Sequence, residues 1–217
     1  KFERTWNDGK KDGLWTYWYK NGQKWSEETF KDGEKDGKWT NWYENGQKSS
    51  EKTYENGLSV TYKNGIEYVW YENGQKKKEY KYGYIWTTWY ENGQKEDERT
   101  YKDRKLVGFT AWYENGQKVK EGTYKDDKKD GLWTFWYVNG KKDEEGIFKD
   151  GKQDGKFTFW YDNGQKRSEG KYKDGERDGL YTFWYDNGQK EEEGTWKYGK
   201  LVEVIGMWNE DGSVWEK

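Results

Sequence analysis

The chain has 217 residues, and 40 Lys and Arg nearly balance 42 Asp and Glu, so the formal net charge is −2. This balance excludes the basic excess that attracts nucleic acid, and no apolar run approaches the roughly 20 residues that span a bilayer. Cysteine and histidine are absent, which removes disulfides, thiolate metal sites and the commonest general base. Only 30% of the residues are hydrophobic, but 17 Trp, 20 Tyr and 8 Phe argue against disorder. We therefore expect aromatic packing in place of an aliphatic core.

The first residues predict half of a hairpin. Residues 3–6 have the pattern of a return strand, and an Asp-Gly turn follows at 8–13. The chain begins without Met, which leads us to expect that a leader or a neighbouring domain is missing from its start. The last return strand, at 213–215, is also short.

A repeated Trp-Tyr-x-Asn-Gly unit organises the rest of the chain. Its glycines stand at 22, 46, 74, 93, 116, 140, 164, 188 and 212, mostly 24 residues apart. The spacing predicts a single repeat domain, 1–217, of about nine units of about 24 residues. We expect an irregular stretch at 57–83 and incomplete units at both ends.

Each unit is typical of a β-hairpin. The stretch 132–137 is rich in aromatic and β-branched residues and reads as a strand. Asn-Gly predicts a two-residue type I′ turn, and the Asp-Gly pairs predict a wider turn to the next unit. No helical periodicity is present. The predicted fold is all-β, an elongated, twisted antiparallel hairpin array forming an open single-sheet solenoid or meander, with closure into a barrel or propeller as the alternative.

A two-residue Asn-Gly turn sets a register for the first hairpin. It pairs Tyr19 with Lys24 and Trp18 with Trp25, and further on Tyr17 with Ser26. Because faces alternate along a strand, a first face carries Trp15 and Tyr17 and a second face carries Trp18. We expect the first face to be better covered, by sheet curvature or by a partner. Its expected ring ladder is Trp15, Trp39, Trp86, Phe109, Trp133, Phe157 and Tyr181, with Phe30, Tyr54, Tyr80, Tyr101, Tyr124, Phe148, Tyr172 and Trp196 from the return strands.

The repeated pattern resembles a known family. Gly-x-Trp-Thr-x-Trp-Tyr-x-Asn-Gly-Gln-Lys, followed by Glu-Gly-x-Tyr-Lys-Asp-Gly-Lys-x-x-Gly, is similar to the bacterial variant of MORN repeats, the YwqK-type antitoxin repeat. The clearest copies are 131–155 and 155–179. The resemblance implies an elongated β-hairpin array used for binding, with neutralisation of a partner toxin as one use.

Recurring acidic residues are the candidate chemistry. Glu27 with Glu28, Glu144 with Glu145, and 191–193 could act as paired carboxylates, but an active site is usually unique and these recur along the repeats. Aspartates four apart in the turns, as at 150 and 154, could bind calcium, although Lys and Arg stand between them. We expect neither catalysis nor a cofactor or metal.

The aromatic ladders beside the Asn-Gly turns are the candidate binding surface or structural scaffold. Lysines such as Lys24 are expected to lie over the tyrosine rings. The candidate residues are Trp18, Trp42, Trp70, Trp89, Trp112, Trp136, Trp160, Trp184 and Trp208, with Tyr19, Tyr43, Tyr113, Tyr137, Tyr161 and Tyr185.

Three functional hypotheses remain open. The first is a non-enzymatic scaffold that binds a protein along its extended face, with an antitoxin-like or immunity role as the specific version. The second is a cell-surface module that binds carbohydrate or choline through exposed aromatic rings. The third is a structural, self-associating segment of a longer protein. No nucleic acid partner is expected, and either the bacterial cytoplasm or the cell surface fits the composition.

Overall fold

The computed structural model describes residues 2–59, 66–81 and 84–215, and these residues form two compact units, 1–104 and 105–217. All described secondary structure is antiparallel β-strand and turn, which confirms the all-β hairpin prediction. The described residues contain no helix that is long and apolar enough to span a bilayer. The predicted irregular stretch at 57–83 lies partly outside the described residues, and a single domain over 1–217 stays a prediction.

In the first unit, several strands are interrupted and are therefore divided into two shorter strands. Its strands are β1 (Phe2–Glu3), β2 (Trp6–Asn7), β3 (Lys10–Lys11), β4 (Gly13–Trp18), β5 (Lys24–Lys31), β6 (Glu34–Lys35), β7 (Gly37–Trp42), β8 (Lys48–Glu55), β9 (Leu58–Ser59), β10 (Ile66–Trp70), β11 (Lys76–Lys81), β12 (Ile85–Trp89) and β13 (Lys95–Lys102). β2 and β3 form a separate two-stranded ladder.

The second unit is a regular meander in which each strand pairs with the next along the chain. Its strands are β14 (Lys105–Trp112), β15 (Lys118–Lys125), β16 (Lys128–Trp136), β17 (Lys142–Lys149), β18 (Lys152–Trp160), β19 (Lys166–Lys173), β20 (Glu176–Trp184), β21 (Lys190–Lys197) and β22 (Lys200–Met207). Among the described residues of this unit, no pairing joins β22 back to β14, so the meander is open.

The Asn-Gly turns are not type I′, and that prediction is wrong. The Gly22 N–H donates to the Tyr19 carbonyl at 3.1 Å, and the Tyr19 N–H donates to the Gln23 carbonyl at 2.8 Å. Gly22 has a φ of 87°, whereas Asn21 keeps a negative φ. This is a three-residue loop, a type I turn closed by a left-handed glycine. The Asn21 side chain favours it because its Oδ1 accepts the Gln23 N–H at 3.0 Å.

A β-bulge restores the predicted register beyond this turn. Trp18 pairs with Lys24 rather than with Trp25, while Tyr17 pairs with Ser26 as predicted. Trp25 is therefore the extra residue of a bulge, and the predicted pairs Trp18–Trp25 and Tyr19–Lys24 are wrong. The three-residue loop has one residue more than the predicted turn, on the β4 side, and the bulge adds Trp25 on the β5 side. The two extra residues cancel, so the pairing beyond them is the predicted one.

The first Asp-Gly pair of each connection forms a tight two-residue turn. Asp150 and Gly151 have φ values of 50° and 86°, and the flanking Lys149 and Lys152 pair directly. Two consecutive positive φ values are the mark of a type I′ turn. The prediction of a wider turn at these positions is thus also wrong. Within each unit these turns stack, and the Gly151 N–H, for example, donates to the Lys129 carbonyl at 2.9 Å.

A row of alternating rings and glycines crosses the second unit on the first face. Gly146 pairs with both Trp133 and Phe157, and Gly170 pairs with both Phe157 and Tyr181. The three rings are the best-buried large side chains, with at most 1% exposed. A Cβ atom on Gly146 would lie 2.3 Å from the Phe157 ring, so only glycine leaves room for the ring to lie flat on the neighbouring strand. We call this series the ring–glycine row.

Aromatic side chains beside the row complete the core. Tyr124, Phe148 and Tyr172 meet the buried rings edge-on, with Phe148 and Phe157 centroids 5.3 Å apart and Tyr172 and Phe157 centroids 5.2 Å apart. Edge-to-face contacts at this separation add to the stabilisation from burial. The first face thus carries the large buried rings, as predicted, and the protein's own rings and long side chains supply the cover.

The first unit has the same ring positions without the glycines. Trp15 pairs with Glu28, and Trp39 pairs with Lys52. Trp39 is only half-buried, and Trp86, which pairs with Arg99, is exposed. The rings at Trp39 and Trp86 are thus less deeply buried than those of the ring–glycine row, whereas Trp15 is only 2% exposed although it pairs with Glu28.

We predict that Gly170→Ala destabilises the second unit by about 1–3 kcal/mol, the usual range for overpacking a tight contact. The added Cβ would lie 2.0 Å from Cδ2 of Tyr181 and must displace a ring that is only 1% exposed. Urea denaturation of the purified chain measures the effect. Lys171→Ala, an exposed change on the same strand, should alter the free energy of unfolding by no more than about 0.5 kcal/mol. Equal stability of the two variants would contradict the proposed role of the glycine.

Candidate binding surface

The tyrosines of the Trp-Tyr-x-Asn-Gly units link successive hairpins. The Tyr137 hydroxyl donates to the Trp160 carbonyl at 2.7 Å, and the Tyr161 hydroxyl donates to the Trp184 carbonyl at 2.8 Å. The same bond joins Tyr19 to Trp42, Tyr43 to Trp70, Tyr71 to Trp89, Tyr113 to Trp136 and Tyr185 to Trp208. These tyrosine hydroxyls are therefore committed to internal hydrogen bonds.

The asparagines of the turns make a second link between hairpins. The Asn139 Nδ2 donates to the Asp162 carbonyl at 2.8 Å, and its Oδ1 accepts the N–H of Lys141. One side chain thus closes its own turn and binds the next turn. Asn21, Asn45, Asn73, Asn115, Asn163 and Asn187 repeat the bond to the following hairpin.

The tryptophans of the units lie half-buried on the second face, and lysines cover them. Lys142 Nζ is 5.5 Å from the centroid of the Trp160 ring and forms an ion pair with Glu145. The cation thus lies over the tryptophan of the following hairpin, and the expectation that these lysines cover tyrosine rings is wrong for Lys24, which lies over Trp42. The arrangement recurs for Lys48 over Trp70, Lys76 over Trp89, Lys118 over Trp136, Lys166 over Trp184 and Lys190 over Trp208.

The electrostatics of these groups follow from the same contacts. Burial, together with the neighbouring Asp143 carboxylate, raises the pKa of Tyr137 to about 12, so the hydroxyl keeps its proton and its role as a donor. The hydrogen bond from Lys190 holds the pKa of Glu193 below its ordinary value. Glu193 therefore stays ionised near neutral pH and holds Lys190 over the Trp208 ring.

The recurring carboxylates found in the sequence also have hydrogen-bond partners within the protein. Glu145 and Glu169 accept hydrogen bonds from Thr134 and Thr158 at 3.1 Å in addition to their lysine contacts. Within the described ranges, no three acidic side chains come together as a metal site would require. Of the paired aspartates, Asp150 and Asp174 occupy the first left-handed position of a type I′ turn, whereas Asp154 and Asp178 lie in β18 and β20.

An exposed aliphatic row was not singled out from the sequence. Leu132 and Leu180 are 57% and 53% exposed on the second face, and Ile147, which pairs with Leu132, is 47% exposed. Lys156 and Lys171 lie between them as a cross-strand pair. We call these five residues the aliphatic row. Its sequence signal is an apolar residue directly after the glycine of the Asp-Gly sequence, as in 131–132 and 179–180.

Comparison with known sequences assigns the repeat. The sequence profile described as MORN repeat variant matches seven segments, at residues 11–32, 35–56, 85–103, 109–126, 129–150, 153–174 and 177–198. The chain belongs to the MORN repeat variant family. Most matched segments of this MORN repeat protein begin near an Asp-Gly turn and cover most of both strands of a hairpin. No curated protein matches the chain.

We predict that Tyr161→Phe lowers the free energy of unfolding by about 1 kcal/mol, the net contribution of one intramolecular hydrogen bond. The change leaves the ring in place and removes only the donor to the Trp184 carbonyl. Tyr198→Phe is the matched control, because the Tyr198 side chain is exposed and its hydroxyl makes no hydrogen bond within the described residues. An unchanged denaturation midpoint for Tyr161→Phe would contradict the linking role of the tyrosine.

Proposed function

We propose that this MORN repeat protein is a non-catalytic scaffold that binds a protein partner along the second face of its second unit. The observation that carries the proposal is the aliphatic row. Three aliphatic side chains, each about half exposed, project from the second face, where lysines lie over the tryptophan rings. An exposed apolar patch on a soluble surface is typical of an interaction site.

The size and charge of the row favour a protein over a small ligand. The row crosses five strands, β16 to β20, which corresponds to about 19 Å at the usual strand spacing. Lys171 and Lys156 add positive charge beside the apolar groups, although Lys156 also pairs with Glu169 at 3.0 Å. A partner with apolar side chains bordered by acidic residues would complement this surface.

The aromatic ladders support the scaffold role rather than ligand stacking. Their tyrosine hydroxyls bind neighbouring hairpins, and lysines lie over the tryptophan rings. A choline or sugar would have to displace these internal cations to reach a ring face. No contact within the described residues favours the carbohydrate or choline hypothesis over protein binding.

The experiment is capture of partners by the immobilised chain and by the double variant Leu132→Lys/Ile147→Lys. We expect a polypeptide that binds the wild-type chain in native extract, then binds again when purified, and is lost from the double variant. Val138→Lys is the control, because Val138 is 59% exposed in the same hairpin but lies in the Asn-Gly turn. A polypeptide that is toxic alone and neutralised by the chain would specify the antitoxin-like version.

Two results would contradict the proposal. Equal binding of the partner by the wild-type chain and the double variant would place the interface elsewhere. A chain that captures no polypeptide and instead forms concentration-dependent assemblies would favour the self-association hypothesis.

A further inference from the structure

A small pocket opens on the first face of the second unit, between β18, β19 and β20. Its volume is about 290 Å³, and its aromatic walls are Phe159, Tyr172, Tyr181 and Phe183. Ser168 lies at its base, nearly fully buried, and pairs with Phe159 on one side and Phe183 on the other. Arg167 and Arg177 complete the lining, so the pocket has no acidic wall.

Both guanidinium groups lie against rings. The Arg177 Cζ is 4.4 Å from the Tyr181 centroid and 5.1 Å from the Phe183 centroid, and the Arg167 Cζ is 5.6 Å from the Phe159 centroid. Stacking satisfies the face of a guanidinium but leaves the N–H donors at its edge available. In the described part of the chain, no carboxylate oxygen lies within 4.0 Å of either group.

Neighbouring repeats place carboxylates where this repeat has none. One repeat earlier, Asp143 and Glu144 stand at the positions equivalent to Arg167 and Ser168. One repeat later, both equivalent positions, 191 and 192, are glutamate. Burial raises the pKa of Glu144, and a hydrogen bond from Gln153 and the charges of Lys129 and Arg167 partly offset that rise. In the pocket, a cation and a hydroxyl replace the acidic pair, and Arg177 adds a second cation. These positions are therefore more positively charged here than in the neighbouring repeats.

Hydroxyl groups add further donors to the pocket. The Tyr181 hydroxyl lies 3.4 Å from Ser168 Oγ and 3.2 Å from the Tyr172 hydroxyl. The Trp196 ring also lies against Arg177, with its centroid 4.6 Å from Cζ, and its buried Nε1–H has no acceptor within the described residues. The Trp196 Nε1–H is thus an unsatisfied donor beside the Arg177 guanidinium.

We propose that this pocket binds a carboxylate, with the two guanidinium groups as its donors and the flanking phenylalanine rings as its apolar walls. Arginine matches the planar, two-oxygen geometry of a carboxylate better than lysine does. A carboxylate joined to a flat apolar group fits the pocket best, because the walls on both sides are rings. The inference does not depend on protein binding at the aliphatic row, which lies on the opposite face.

The test is calorimetric titration of the full chain at low salt with benzoate, with neutral benzamide, and with inorganic phosphate. We expect saturable binding of benzoate and none of benzamide. Ser168→Glu, which introduces the residue of the neighbouring repeats, and Arg177→Gln, which copies the counterpart Gln153, should each weaken benzoate binding by at least about tenfold, the loss of one charged hydrogen bond.

Lys149→Gln removes one exposed charge outside the pocket and should leave benzoate binding within about twofold, because screening weakens distant surface charges. Far-ultraviolet spectra establish that each variant is folded. If the loss of Arg177 disturbs the rings that it covers, Ser168→Glu still tests the carboxylate assignment. No binding of benzoate, equal binding of benzamide, equal binding by Ser168→Glu, or binding of phosphate alone would each overturn the carboxylate assignment.

Discussion

The close contact between an aromatic ring and a glycine on the next strand is the constraint on which the second unit depends. Each ring of the ring–glycine row lies where any Cβ atom would clash, so the glycine gives the ring a flat surface to cover. Trp133, Phe157 and Tyr181 can then be fully buried in a chain that is only 30% hydrophobic. In the first unit, long side chains stand opposite these rings, and Trp39 and Trp86 are more exposed. Trp15 is nevertheless buried, because the Trp6 and Phe30 rings and the Lys11 side chain pack against it.

Hydrogen bonds from polar side chains connect each hairpin to the next. Tyrosine hydroxyls and asparagine amides donate to the carbonyls of the following hairpin, and the stacked type I′ turns add a backbone bond at the other end. These bonds fix the residue types of the Trp-Tyr-x-Asn-Gly unit, because each polar group closes its own turn or meets its neighbour. The variable positions remain available for function, and the residues that distinguish the two proposed surfaces, such as Leu132 in one and Arg167 in the other, stand at such positions.

Much of the fold follows from the sequence alone. The Tyr17–Ser26 register and the buried rings of the first face could be predicted because strand alternation and aromatic content dictate them. The turn types could not, because Asn-Gly serves both a two-residue turn and a three-residue loop with a left-handed glycine, and the bulge at Trp25 hides the difference beyond the turn. The role of the glycine in Glu-Gly-x-Tyr could not be predicted from the sequence, because the ring that it contacts lies on a different strand.

The two candidate surfaces were harder to find in the sequence for a related reason. The repeats suggest that recurring residues matter, yet Arg167 and Ser168 stand out only where one repeat departs from its neighbours. Leu132 and Ile147 look like ordinary strand residues until the pairing shows that they share the less covered face. The sequence signal of the arginine pocket is a change of charge between equivalent positions of successive repeats.

Hydrogen exchange of the Phe157→Ala variant tests the central claim most directly, namely that buried rings shared between adjacent strands hold the second unit together. Loss of a buried ring costs about 3–5 kcal/mol, and neighbour-limited contacts should confine the loss of protection first to β17, β18 and β19. Protection in β14 and β22 should remain closest to that of the wild-type chain. Uniform loss of protection across all strands of the unit, or no loss at all, would contradict the account.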